Sequence, residues 1–209
     1  RLSDAMQWLY NSTTANKTYN DRRVNSVYFD DVSFSSVRDN LAGISQRNKL
    51  RLRWYGTQKN SSPIFEVKTK NGRLGSKTLY PISSIENNIL ELTIDKITSK
   101  CIKDLATYNV IFDEHLVPTL QVDYEREYYE THDGIRITID QDIQFSDIQL
   151  YTSLNENNSF SYPFKVMEIK FKPSMKNIVA KLIKPLHITP KRHSKYLIGL
   201  AALGYVVYI

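Results

Sequence analysis

Lys49-Leu50-Arg51-Leu52-Arg53-Trp54-Tyr55 alternates basic side chains with large apolar ones, and this alternation governs the fold class. A strand sends successive side chains to opposite faces, so Lys49, Arg51 and Arg53 share one face and Leu50, Leu52 and Trp54 the other. The device recurs in Phe65-Glu66-Val67-Lys68-Thr69-Lys70, in Ile135-Arg136-Ile137-Thr138-Ile139-Asp140 and in Lys165-Val166-Met167-Glu168-Ile169-Lys170-Phe171-Lys172. Two architectures accept it. An open sheet packs its apolar face on helices and wets its charged face. A closed barrel turns the charged faces inward and packs its apolar faces outward against helices. Arg and Lys dominate the charged faces and carboxylates are few, and like charges held together repel unless a polyanion neutralises them. The types of charge therefore favour a lined anion site over a solvated face.

Composition limits what such a site serves. At 209 residues and 41% hydrophobic content, residues 1–209 read as a single domain with a real core. Lys plus Arg number 28 against 22 acidic residues, a net charge of +6. That modest excess suits an anionic ligand without calling for nucleic acid, which is not among the expected partners. One cysteine, Cys101, excludes an internal disulfide and a multi-cysteine metal site, and reads as a helix-packing residue. The run from Tyr196 to Ile209 is almost wholly apolar but too short to span a bilayer as it stands. Its preferred reading is a buried terminal helix, ahead of the first half of a membrane helix. His132, His187 and His193 lack ligand-like spacing, and His115 lies in a loop-like stretch. The N-x-[ST] matches at Asn11, Asn16, Asn60 and Asn157 read as Asn/Ser-rich loops rather than glycosylation sites.

The chain reads as β-rich with helical insertions. Helical spacing marks Leu2 to Tyr10, and Asn11 to Asp21 reads as a polar loop. Strands are expected over Val24 to Asp30, over Asn48 to Tyr55 and Pro63 to Lys70 as a hairpin across the Gly56 to Ser62 loop, and over Lys77 to Tyr80. Ser84 to Tyr108 is the main helical region. Thr119 to Tyr128 and Ile135 to Asp140 form a second hairpin around His132-Asp133-Gly134. Lys165 to Lys172 is the last strand, followed by helices over Met175 to Lys184 and Ser194 to Leu203. These are seven strand candidates with no linker.

Tyr28-Phe29-Asp30-Asp31, Lys49-Leu50-Arg51-Leu52-Arg53, Phe65-Glu66-Val67-Lys68, Tyr124-Glu125-Arg126, Arg136-Ile137-Thr138-Ile139-Asp140, Met167-Glu168-Ile169-Lys170 and Ser194-Lys195-Tyr196 follow one another in this order. The series resembles the VTC domain, the polyphosphate-polymerase domain of the vacuolar transporter chaperone complex and its bacterial relatives. The resemblance runs from about Val24 to Tyr196. It implies membership of the triphosphate tunnel metalloenzyme (CYTH-like) superfamily: an α+β fold whose eight-stranded antiparallel β-barrel carries helices packed outside.

The resemblance also implies a site. Arg51, Arg53, Lys68, Arg126 and Arg136 match catalytic tunnel positions, and arginine forks suit phosphate oxygens. Lys49, Glu66, Lys77, Lys170, Arg192, Ser194 and Lys195 match substrate-binding positions, with Ser194 expected at a helix N-terminus. Glu168 matches the metal-binding carboxylate, for Mn²⁺ or Mg²⁺. Bland readings stand beside these. Lys77 is as well read as solvated, Glu168 as an ion-pair partner of Lys170 or Arg136, and Glu66 as either a partner of Lys68 or a second carboxylate near the metal. Tyr28 and Tyr124 read as packing residues or phosphate hydrogen-bond donors. Reversing Arg126 or Arg136 to Glu is expected to abolish binding with the fold intact.

One departure is plain. The family opens with a charged strand before the first helix, and nothing upstream of Leu2 supplies it, so a barrel with its first strand missing is expected. The implied activity is transfer of the ATP γ-phosphoryl group to a growing polyphosphate chain. The alternatives are triphosphate or polyphosphate hydrolysis, and a non-catalytic polyphosphate- or inositol-pyrophosphate-binding module. ATP, triphosphate and polyphosphate are the expected partners. A cytoplasmic setting, at the cytosolic face of a membrane if a membrane domain follows Ile209, goes with that resemblance.

Overall fold

The computed structural model describes residues 2–56, 62–72, 74–154 and 158–207. The expected loop tip after Gly56 and the matches at Asn60 and Asn157 lie outside these residues. In chain order the elements are α1 (Leu2–Ser12), β1 (Asn16–Asp30), α2 (Ser35–Leu41), β2 (Gln46–Tyr55), β3 (Ile64–Asn71), β4 (Leu74–Pro81), α3 (Ile94–Thr107), β5 (Val117–Glu130), β6 (Arg136–Ser146), β7 (Ser159–Ser161), β8 (Val166–Lys170), α4 (Lys176–Ile183) and α5 (Lys195–Ala202). The α+β class holds: among the described residues eight strands form one sheet in the order β4-β3-β2-β1-β5-β6-β7, with β8 also paired to β6. Among the described residues no helix is long and apolar enough to cross a membrane.

The pairing does not close the expected barrel. Among the described residues no ladder joins β4 to β7 or β8, so the path has two ends. The free edge of β6 is divided between two short partners, β7 along Gln144 to Ser146 and β8 along Arg136 to Asp140. At the other end β4 has the make-up of an edge strand: Gly75, the charged Lys77, a terminal Pro81 and mostly exposed side chains.

Three further expectations change. The polar stretch expected as a loop from Asn11 supplies the first half of β1, from Asn16. No hydrophobic alternation announces it; Tyr19 instead meets the ring of Tyr128 on β5 edge-on, with centroids 5.7 Å apart. The helical region expected over Ser84 to Tyr108 is an α-helix only over Ile94–Thr107, preceded by 3₁₀ turns at Ser83–Ile85 and Ile89–Glu91. Asn87 breaks it by adopting a left-handed φ of 67°. The three-residue β7 carries too little pattern to be read from sequence.

The chain divides into two compact units. The first comprises Arg1–Arg22, Tyr124–Ile143 and Pro163–His193. Its core gathers Trp8 and Leu9 of α1, Ile137 and Ile139 of β6 and Val179 of α4, with Met167 and Ile169 of β8 packed against them. Trp8 Nε1 donates to the Leu182 carbonyl at 2.8 Å, so burying this indole strands no donor. The second comprises Arg23–Asp123, Gln144–Tyr162 and Ser194–Ile209. There Val27, Phe29, Leu52, Trp54 and Phe65 pack on Ile94, Ile97, Cys101 and Leu105, the buried stripe of α3. Cys101 is the packing residue its sequence context suggests, and burial raises its thiol to about 12.

Candidate functional site

The antiparallel register of the second unit carries the alternation across three ladders. Tyr28, Arg51 and Glu66 are cross-strand neighbours, as are Ser26 and Arg53, and Lys49, Lys68 and Lys77. Directly paired residues share a face. The apolar residues between them enter the core, so the opposite face of β2 and β3 presents its cations together.

Glu66 is the carboxylate at the centre. It is 4% exposed. Arg51 Nε donates to Oε2 at 2.5 Å, Lys77 Nζ lies 2.6 Å from Oε1, and Arg53 Nη1 lies 3.8 Å from Oε1. Burial alone raises a carboxyl; here the Arg51 and Arg53 charges and the Lys77 and Arg51 hydrogen bonds outweigh it, and Glu66 sits below its ordinary value. Lys77, open to either reading from sequence, is therefore tied into the cluster.

The remaining cations crowd. Lys49 Nζ donates to Ser194 Oγ at 3.0 Å. Burial holds this ammonium below the usual lysine range, and Lys68, Arg47 and Arg51 push the same way. Tyr28 answers to the same field: its burial favours the neutral phenol, yet Arg51, Arg53 and Lys195 bring it below its ordinary value. Arg51 Nη1 also donates to Tyr28 Oη at 3.3 Å. Lys68 is exposed. A face on which both an ammonium and a phenol are biased towards losing a proton is one that favours an anion.

Ser194 caps α5, its side chain accepting from the Leu197 N–H, which places it at a helix N-terminus as expected. Lys195 is the first residue of that helix.

In the other unit, Arg126 is engaged from the start. Its Nε and Nη2 donate to Asp140 Oδ1 and Oδ2 at 2.5 and 2.7 Å, and Asp140 is fully buried. The guanidinium also lies 5.1 Å from the Tyr124 ring centroid and 5.9 Å from that of Tyr128. Arg136 is exposed and faces Lys170 across β6 and β8. Glu168, also exposed, lies 3.4 Å from Lys170 Nζ, the ion pair its spacing suggests. Arg192 is exposed in the irregular segment before α5.

No group of three or more His, Cys, Asp or Glu gathers to cage a metal among the described residues. The donors here are the Glu168 carboxylate and, directly opposite it on β6, Thr138, whose buried Oγ1 has no hydrogen-bond partner. One carboxylate beside an unmatched hydroxyl fits a hard divalent ion that takes most of its oxygens from phosphate and water.

The structure thus gathers Lys49, Arg51, Arg53, Glu66, Lys68, Lys77 and Ser194 in one unit, and Arg126, Arg136, Glu168 and Lys170 on β5, β6 and β8 in the other. Sequence reasoning passed over Asp140 as the partner of Arg126, and Asp30 and Thr119 beside Tyr196. The only signal available for these was position, since each belongs to, or lies close to, one of the motif segments.

A family model, the VTC domain, matches residues 1–204. The chain belongs to the VTC domain family. A likeness of fold stands beside that membership. A putative adenylyl cyclase from Hippeastrum, described as having a dominant triphosphatase activity, superposes with a TM-score of 0.50 at 14% identity, covering 94% of this chain and 90% of its own. Comparison with curated proteins finds no match.

Proposed function

We propose that this VTC domain is a metal-dependent polyphosphate polymerase that moves the γ-phosphoryl group of ATP onto the end of a growing polyphosphate chain, with residues 1–209 acting as a single domain. The observation that carries this reading is the ladder of cations around one carboxylate: Lys49, Arg51, Arg53, Lys68 and Lys77 share a face on which Glu66 is central. A phosphate chain repeats its charge along its length, and such a surface matches it at several points at once. Arg51 and Arg53 offer forked donors to phosphate oxygens, while Lys49, Lys68 and Lys77 act as point charges. Lys49 and Ser194 at the head of α5, with Lys195 beside them, form an anion subsite.

Arg136 and Lys170 contribute charge on β6 and β8, with Arg192 in the segment beyond, and Arg126 is held in place by Asp140. Glu168, with Thr138 opposite, would hold Mn²⁺ or Mg²⁺, which when bound neutralises phosphate charge. Phosphoryl transfer of this kind needs no covalent nucleophile from the protein; alignment and charge stabilisation suffice. Dependence on ATP implies an ATP-containing compartment, the cytoplasm.

A second reading, hydrolysis of triphosphate or polyphosphate, is favoured by the triphosphatase activity described for the Hippeastrum protein. Water replaces the phosphate acceptor and the same cations serve. Incubation with ATP and Mn²⁺ separates the readings. Long acid-labile polymer supports transfer, free phosphate alone supports hydrolysis, and tight binding without turnover supports a binding module.

A further inference from the structure

Tyr196 stands two residues beyond Ser194, at the start of α5, and is 2% exposed. Its hydroxyl donates to Asp30 Oδ2 at 2.8 Å and lies 3.0 Å from Thr119 Oγ1. Asp30 is wholly buried at the end of β1, and its other oxygen accepts from the Asp31 and Ser36 N–H groups at 3.0 and 3.1 Å. Burial and the Asp30 charge hold Tyr196 well above the usual phenol range, so it remains a donor. Thr119 Oγ1 also donates to the Tyr28 carbonyl at 3.2 Å. The Tyr196 ring stacks on that of Tyr28, with centroids 4.9 Å apart and planes 19° from parallel.

One phenol therefore joins both halves of the cation face. Through its neighbours in α5 it reaches Ser194 and so Lys49; through the stacked Tyr28 it reaches Arg51. Gly199 fixes the middle of α5 and leaves its first turn to other contacts. A Cβ there would come 2.6 Å from Leu120 Cδ2 and 2.7 Å from Phe145 Cδ1, so the helix lies hard against these side chains.

We propose that Tyr196, anchored on Asp30, is a positioning residue that holds Ser194 and Lys49 at the separation an incoming phosphate group requires. The inference rests on the reading of Lys49 and Ser194 as an anion subsite. The phenol itself is buried and acts through Ser194. Without its hydroxyl, the first turn of α5 is free to shift, and a sub-ångström shift is enough to spoil a charge-assisted hydrogen bond.

The test is a double-mutant cycle read by calorimetric titration with inorganic tripolyphosphate. Ser194→Ala and Tyr196→Phe should each weaken binding about tenfold, and the double variant should bind no more weakly than the worse single one. Thr119→Val, which removes the other neighbour of the same hydroxyl, should behave like Tyr196→Phe and covers the case in which that variant does not fold. Tyr205→Phe is the control. Its hydroxyl donates to Asp147 Oδ1 at 2.6 Å just past α5, so the variant should lower Tm and leave affinity alone. Additive losses from Tyr196→Phe and Ser194→Ala would overturn the inference and leave the subsite standing. Coupling of Ser194→Ala to Tyr205→Phe would overturn it too, since any loosening of the helix would then suffice. An inert Ser194→Ala would remove the subsite, and the inference with it.

Discussion

Arg51 and Glu66 are paired across the β2–β3 ladder, and their side chains meet: the guanidinium Nε donates to the carboxylate Oε2 at 2.5 Å. Lys77, facing the same carboxylate from β4, completes a cluster in which positive charge exceeds negative. A single anion balancing three cations stabilises the folded chain without cancelling the field that a polyanion would meet.

Replacing Glu66 by Gln separates those two roles. Tm should fall, because Arg51, Arg53 and Lys77 then repel one another, while tripolyphosphate should bind more tightly because the chain supplies the missing charge. The same pair has a pH signature. A carboxyl whose folded value is depressed contributes fully above its unfolded value of about 4.3, and the contribution disappears as pH falls through the lower folded value. Wild-type stability in urea should therefore drop below about pH 4 more steeply than that of the Gln variant.

Lys49 differs in that folding disfavours its charged form. Its folded value is depressed, so it gives up its proton at a lower pH than a solvated lysine, whose value is about 10.4. The free domain should gain stability as pH rises from the folded value towards the unfolded one. Tripolyphosphate affinity should fall over the same interval. Titration upward from neutral pH towards the ordinary lysine value of about 10.4 should show this in the wild type and much less in Lys49→Arg, which stays charged.

Arg126 and Arg136 should part company, although sequence alone treats them alike. Arg136 is exposed, and Arg136→Glu should weaken binding with little change in Tm. Arg126→Met removes two charge-assisted hydrogen bonds from the fully buried Asp140, and urea denaturation should show a loss of about 1.5–3 kcal/mol.

Salt offers a test that needs no variant. Several cations gripping one chain release counterions together, so the logarithm of affinity should fall steeply and linearly with the logarithm of salt concentration. Arg51→Ala with Arg53→Ala should weaken binding more than tenfold and flatten that slope. A slope unchanged by the two substitutions would place the phosphate chain elsewhere.

Much of this site was legible in Lys49 to Tyr55 because the pleat of a strand is a local property. Alternation alone separates Arg51 and Arg53 from Leu52 and Trp54, and the structure keeps that separation. The first half of β1 escaped the same reasoning, since Asn16 to Arg22 bury almost nothing and become a strand only through their neighbours. Closure escaped it as well. A shared cationic face is equally compatible with a closed ladder and with one that ends at an edge strand such as β4, and only hydrogen bonding between the first and last strands distinguishes them.

Which side chains share a face was thus written into the order of the residues, and with it the excess of cations over carboxylates. Which partner each cation takes was decided by folding. Lys49 and Ser194 are 145 residues apart in the chain, and Asp30 and Tyr196 are 166 apart. The alternation of side chains along a strand sets the first property by local sterics. The second depends on register and on where the last helix docks, and those emerge only when the whole core packs.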